Sequence, residues 1–215
     1  MIAMVLATSI AACHPRSAVR DAQPTPNTVR DTRDGHVYRT VTIGERVWFA
    51  ENLAYMPHVA PIAQPGGIWV YGFDGTSVTS ARNTPEYHAF GNLYDWETAL
   101  HSCPVGWQVP SEEEWRALEI TLGMTTAQAE QNSWRGTDQG TRLKSGGDTG
   151  FDVQLAGWRS GEGRAAFRDE HANFWTSTSF DHRAYERLFN VRRPTIGRDV
   201  GNKTAAFSVR CIKQR

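Results

Sequence analysis

NLYDWETALHSCPVGWQVPSEEEWRALEITLG, residues 92–123, carries two helix signals divided by a connection with a proline at each end. In the first, Leu93, Trp96, Leu100 and Cys103 recur at helical spacing along one face, and Pro104 ends the pattern. In the second, Ser111 stands as the N-cap and Glu114, three residues on, completes a capping box. Glu112 and Glu113 oppose the positive helix end. Trp115, Leu118 and Leu122 form the stripe to be buried, and Gly123 supplies the exit. On this basis capping accounts in full for the acidic triplet, leaving no need for a metal or catalytic role.

Strand signals flank this helical stretch. DGHVYRTVTIGERVWFAENL, residues 34–53, predicts a β-hairpin with strands near 36–42 and 46–50 around a turn at Gly44-Glu45. GGIWVYGFDGTS, residues 66–77, gives a short aromatic strand followed by an Asp74-Gly75 turn. Residues 134–163 are rich in Gly and polar side chains and allow only short strands, for instance 153–158. FWTSTSF, RAYERLFNV and AAFSVRCIK then predict an antiparallel sheet. Helices followed by strands define an α+β fold, two helices packed on short twisted antiparallel sheets with long loops.

The chain has 215 residues, enough for one domain and a tail. Eight Trp and nineteen Gly point to a loop-rich fold with a core of large flat side chains rather than a helical bundle. A formal net charge of zero implies no strongly basic face, so nucleic acid is not an expected partner. The apolar run MIAMVLATSIAA, residues 1–12, has the length of an export signal. Ile10-Ala11-Ala12-Cys13 resembles a bacterial lipobox, in which the cysteine is acylated and becomes the new N-terminus. No Lys or Arg precedes the run, a departure from the usual exported pattern. The expected organisation is therefore a leader at 1–12, a polar, proline-punctuated tether at 13–33 and a folded domain at 34–215. His14, where Asp would signal inner-membrane retention, points to the outer membrane or cell surface. With Cys13 set aside, Cys103 and Cys211 remain. In an oxidising compartment such a pair reads as a disulfide, with two buried thiols as the alternative. A bridge closing roughly 100 residues is worth about 4–5 kcal/mol in the chain-entropy model.

Seven stretches in order, DGHVYRTVTIGERVWFAENL, IWVYGFDGTSV, FGNLYDWETAL, CPVGWQVPSEEEW, WRGTDQGTRLKSG, FWTSTS and FSVRCIK, resemble the Fibrobacter succinogenes major paralogous domain family from Asp34 to Lys213. The resemblance implies an exported bacterial protein, often a lipoprotein, without an established activity. It also implies the C-type lectin-like fold, which includes the formylglycine-generating enzymes. In that fold a cysteine ending the first helix pairs with one in the last strand, which assigns the disulfide to Cys103 and Cys211.

Calcium-dependent sugar binding in that fold resembles Glu-Pro-Asn or Gln-Pro-Asp with Trp-Asn-Asp, and the sequence has neither triplet. Pro194 is flanked by Arg193 and Thr195, which do not supply the ligand set. The cysteines of a formylglycine-generating enzyme have one late counterpart, Cys211, committed to the bridge. Asp169, Glu170 and His171 are neighbours, but adjacent strand residues face opposite ways; Asp181 and His182 meet the same objection. No catalytic residue, metal or cofactor is expected. The segment from 134 to 200 supplies the candidate ligand-binding residues: Trp134, Arg135, Trp158, Arg159, Tyr185, Arg192 and Arg193, with Arg187 and Arg198 nearby. Aromatic and Arg side chains together suit sugar rings or acidic groups; core burial competes for Trp134 and Trp158. The expected role is binding to a glycan or an envelope protein, with membrane contact through a lipid anchor only. An enzyme related to the formylglycine-generating group and a structural envelope component are the alternatives.

Overall fold

The computed structural model describes residues 27–215. The expected leader at 1–12, Cys13 and the expected tether up to residue 26 lie outside the described residues. The first half contains β1 (Asn27–Arg30), β2 (Val37–Ile43), β3 (Arg46–Phe49), β4 (Ile68–Trp69), α1 (Val78–Arg82), α2 (Pro85–Phe90), β5 (Leu93–Tyr94), α3 (Trp96–Leu100) and β6 (Trp107–Gln108). The helical middle is α4 (Glu112–Thr121), α5 (Thr126–Glu130), β7 (Ser133–Arg135) and α6 (Gln139–Leu143). There follow β8 (Trp158–Arg159), β9 (Ala165–Ala166), β10 (His171–Phe180), β11 (Arg183–Asn190), β12 (Ile196–Asn202) and β13 (Ile212–Lys213).

The result is a mixed α and β fold, mostly antiparallel sheet with a few short helices. One sheet runs β1-β2-β3-β13-β6 and a second β10-β11-β12-β7, while β4-β5 and β8-β9 form two-stranded pairs. Helix α4 lies against the second sheet. Trp115 is fully buried among Trp48, Phe151, Phe174 and Phe189, with Ile43, Ile196 and Ile212 in the same core. A second core gathers Tyr38, Phe49, Tyr94, Trp175, Phe207 and Cys211.

Several local expectations are met, others corrected. The hairpin forms, with Gly44 at a φ of +59° where a side chain would be strained. The Ser111 capping box is complete: Ser111 N–H donates to Glu114 Oε2 at 2.8 Å and Glu114 N–H to Ser111 Oγ at 3.1 Å. The helix expected through residues 92–103 is shorter, because Asp95 accepts from Thr98 N–H at 2.8 Å and starts α3 at Trp96. Leu93 and Tyr94 instead pair with Ile68 and Trp69. The 153–158 strand reduces to an isolated bridge at Val153 and the short β8. Ile196–Asn202, not among the strands expected from sequence, is a sheet strand.

Strand β1 begins at Asn27, seven residues before the predicted domain boundary at residue 34. Asn27–Arg30 pair with Val37–Thr40, and the fully buried Asp31 carboxylate accepts from the Arg33 guanidinium at 2.6 Å. That guanidinium also donates to the Ser102 carbonyl at 2.8 Å. Backbone ladder and charge, with Val29 the single large apolar side chain packed on the core, hold this segment, so its composition looks like tether.

Cys103 and Cys211 are bonded across 108 residues with Cα atoms 6.0 Å apart. The bridge ties the chain just beyond α3 to the residue before β13, whose Ile212 pairs with both Trp48 and Gln108. Buried cations hold much of the irregular backbone. Arg210 is fully buried, donates to the carbonyls of Phe49, Phe151 and Asp152, and lies 4.6 Å over the Phe151 ring. Burial pulls its pKa down to about 9 against the opposing charges of Asp152 and Glu51. Each such donor satisfies carbonyls that a loop would otherwise bury without partners.

Candidate binding surface

The predicted ligand-binding residues do not form one cluster. Arg135 is 4% exposed and Arg159 fully buried. Arg159 donates to the Ile62 and Gln64 carbonyls at 2.7 and 2.8 Å and stacks 4.2 Å over Trp69, pinning the 62–64 loop. Trp158 is half-buried against the core and stacks on Phe167 at 5.9 Å. The sheet register places Trp134 opposite Gly197 and Tyr185 opposite Val200, which puts these two aromatics on opposite faces. Tyr185 packs under Arg198 at 4.6 Å and beside Phe180 at 5.5 Å.

What remains together and accessible is the turn between β11 and β12. Arg192 and Arg193 are exposed there, and the Arg193 guanidinium lies 4.8 Å over the half-buried Trp134 ring. Lys144 fixes the turn, donating through Nζ to the carbonyls of Asn190, Val191 and Arg193 at 2.9, 3.3 and 2.9 Å. Thr141 N–H donates to the Pro194 carbonyl at 3.0 Å. Gly140 is required beneath, since a Cβ there would come 2.3 Å from the Thr195 carbonyl oxygen. Beside this turn runs a shallow groove of about 600 Å³, lined by Phe90, Thr141, Lys144, Leu155, Asp169 and Val191 among others. Groove and turn share Lys144 and Val191, so the apolar groove borders the turn that carries Arg192 and Arg193, while the Trp134–Arg193 stack itself is not part of the groove lining.

The other Arg residues of the candidate segment serve a buried ion network. Glu119, fully buried on α4, accepts from Arg135 Nη2 and Arg187 Nε, each at 2.6 Å. Glu112, two turns earlier on the same helical face, accepts from Arg187 Nη1 at 2.6 Å and from Arg198 Nε at 2.5 Å. Burial alone would raise the Glu112 carboxyl, but hydrogen bonds and charge from Arg187 and Arg198 hold it below its ordinary value. Burial lowers Arg135 to about 10 despite Glu119. Capping therefore does not account for the whole acidic triplet: Glu114 caps, whereas Glu112 is a buried ion-pair partner. The sequence signal was the placement of Glu112 and Glu119 in register with Trp115 and Leu122 on the buried stripe.

Glu186 is a different case. It is buried on the opposite face of β11 from Arg187, opposite Asp199 on β12, and its one side-chain partner is Asn173, whose Nδ2 donates at 2.6 Å. Burial, with Asp199 adding to it, raises its pKa from 4.5 to about 8. The folded state therefore binds this proton more tightly than the unfolded chain. That contribution is complete below the ordinary value and is lost as pH rises through the folded one. Glu186→Gln should raise the melting temperature by about 5–15 °C near pH 9 and leave it nearly unchanged near pH 4. Parallel melting curves for the two proteins across this range would refute it.

Asp169, Glu170 and His171 do not converge: Asp169 pairs with Arg168 at 3.3 Å while His171 Nε2 meets Asn190 Nδ2 at 2.8 Å. Among the described residues no three His, Cys, Asp or Glu side chains gather as a metal site, and no helix is long and apolar enough to cross a membrane.

A disulfide-clasped, loop-rich domain with a shallow groove at one end of its second sheet is the class these features define. The chain belongs to the Fibrobacter succinogenes major domain family, whose model matches residues 41–213. No curated protein and no solved structure matches it.

Proposed function

We propose that this protein is a non-catalytic recognition module of the bacterial cell envelope, carried on a C-type lectin-like domain and binding a glycan. The observation that carries this is the Trp134–Arg193 stack, 4.8 Å from guanidinium to ring, on a turn that shares Lys144 and Val191 with a groove of about 600 Å³. Concave surfaces of this size, largely apolar with a few fixed polar groups, suit small ligands better than flat protein partners. An aromatic face packs well on the C–H face of a sugar ring. The bond from the helix-end Cys103 to the late Cys211 supports the lectin-like assignment. The full chain should retain specific glycans on an array, and Trp134→Ala should weaken retention at least about tenfold. Absence of binding to every glycan, or unchanged binding by the variant, would count against recognition.

Anchoring at Cys13 is part of the same proposal and rests on the Ile10-Ala11-Ala12-Cys13 pattern. Cys13→Ser should move the protein from the membrane fraction to the soluble fraction. A single acyl chain gives only marginal membrane binding, so the multiple chains of a lipoprotein anchor make this shift large. Persistence of the variant in membranes would remove the anchor from the proposal.

A further inference from the structure

We propose that the groove takes an acidic glycan, a run of sugar rings bearing carboxylates, with Arg192 and Arg193 reading the acid groups; this rests on the recognition role above. Most guanidiniums in this fold already have an acid. Arg39, Arg46, Arg82, Arg142 and Arg168 each lie within 3.2 Å of a carboxylate oxygen. Among the described residues, no carboxylate lies within ion-pair distance of Arg192 or Arg193, two consecutive exposed cations on one turn.

That turn is built rather than loose. Arg192 N–H donates to Asn190 Oδ1 at 2.8 Å and Arg193 N–H to the Asn190 carbonyl at 3.2 Å. Lys144 occupies the carbonyls of Asn190, Val191 and Arg193, which brings a third positive charge to the turn and keeps those acceptors from the ligand. Stacking on Trp134 limits the freedom of the Arg193 guanidinium before any ligand arrives. A pre-ordered planar fork matches a carboxylate with two parallel hydrogen bonds, at a lower entropy cost than a mobile Lys.

The groove supplies the other half of the specificity. Phe90, Leu155 and Val191 offer apolar contact to ring C–H faces, and the volume of about 600 Å³ is of small-ligand scale. Asp169, the acid of the groove lining, already faces Arg168 at 3.3 Å. Neutral sugars would leave two cations unanswered; an acidic protein would need a broader, flatter surface than this groove provides.

The test is calorimetric titration of the full chain with a galacturonic acid trimer and with the uncharged galactose trimer, in about 50 mM and about 500 mM salt. Binding of the uronate at least tenfold tighter than of the neutral trimer, weakened by salt, is the expected result. The Arg192→Gln/Arg193→Gln double variant should lose that preference at least tenfold while melting at the wild-type temperature. Equal binding of both trimers, unaffected by the double substitution, overturns the acidic class and leaves glycan recognition standing. Binding of neither trimer overturns the acidic class, and only a blank full glycan array removes recognition as well. Equally tight binding of polyglutamate would overturn the glycan and leave a general polyanion surface.

Discussion

The Cys103→Ala/Cys211→Ala double variant should unfold about 10–20 °C below the parent protein under oxidising conditions. The bridge closes a loop of 108 residues, and in the chain-entropy model removing such a constraint costs about 4–5 kcal/mol. For a chain of this length each kcal/mol corresponds to about 2–4 °C. The location adds to the effect. Cys211 is fully buried, and its carbonyl accepts the Phe49 N–H at 2.9 Å where β3 meets the last strand. Ile212, the next residue, pairs with Trp48 on one side and Gln108 on the other. Loosening Cys211 therefore loosens the centre of the five-stranded sheet. Differential scanning calorimetry of both proteins, with and without reductant, reads the cost. Reductant should lower the parent to the level of the variant and leave the variant unmoved. Identical melting of parent and variant without reductant would show that the bond does not stabilise the fold.

How much of this was written legibly in the chain depends on the range of the interaction. The Ser111 capping box was readable because both partners lie within three residues of each other, as was the Gly44 turn. The disulfide was readable because two cysteines remained once Cys13 was set aside and the family resemblance said which should meet. Helices α1, α2, α5 and α6 were not read: five or six residues are too few for periodicity to emerge, although Ser77, Thr84-Pro85 and the Thr125–Gln128 capping box mark the starts of three of them. The burial of Arg135 and Arg159 among the binding candidates was not legible for a different reason. An Arg side chain does not announce whether it faces solvent or a carbonyl, and nothing in the Gly-rich stretch around Arg159 signals its burial. Its partners, Ile62 and Gln64, lie almost a hundred residues upstream. The exposure of Arg192 and Arg193 was legible because the run Arg192-Arg193-Pro194-Thr195 contains no large apolar residue.

Glu119→Gln should cost about 3–5 kcal/mol, the penalty for leaving a buried charge without its partner. This Glu is fully buried and answers two guanidiniums at 2.6 Å, from β7 and β11, so its loss leaves Arg135 and Arg187 facing each other across a region that water does not reach. With Glu112 counted, two carboxylates serve three guanidiniums, and removing one leaves a single anion among three buried or half-buried cations. The substitution is nearly isosteric, so lost charge rather than a cavity would be measured. Chemical denaturation at neutral pH should show the midpoint falling with little change in slope. A companion variant sharpens the result: Glu119→Leu with Arg187→Met and Arg135→Met replaces the inner triad by apolar side chains and should recover most of the stability, since buried ion networks exchange for packed apolar groups at little net cost. Recovery in the triple variant would mean the network fixes which strands meet α4 more than it deepens the native state. If Glu119→Gln denatured at the parental midpoint, the carboxylate would not be holding those two cations, and the link from α4 to the second sheet would rest on the Glu112 ion pairs and on Trp115 with its aromatic neighbours.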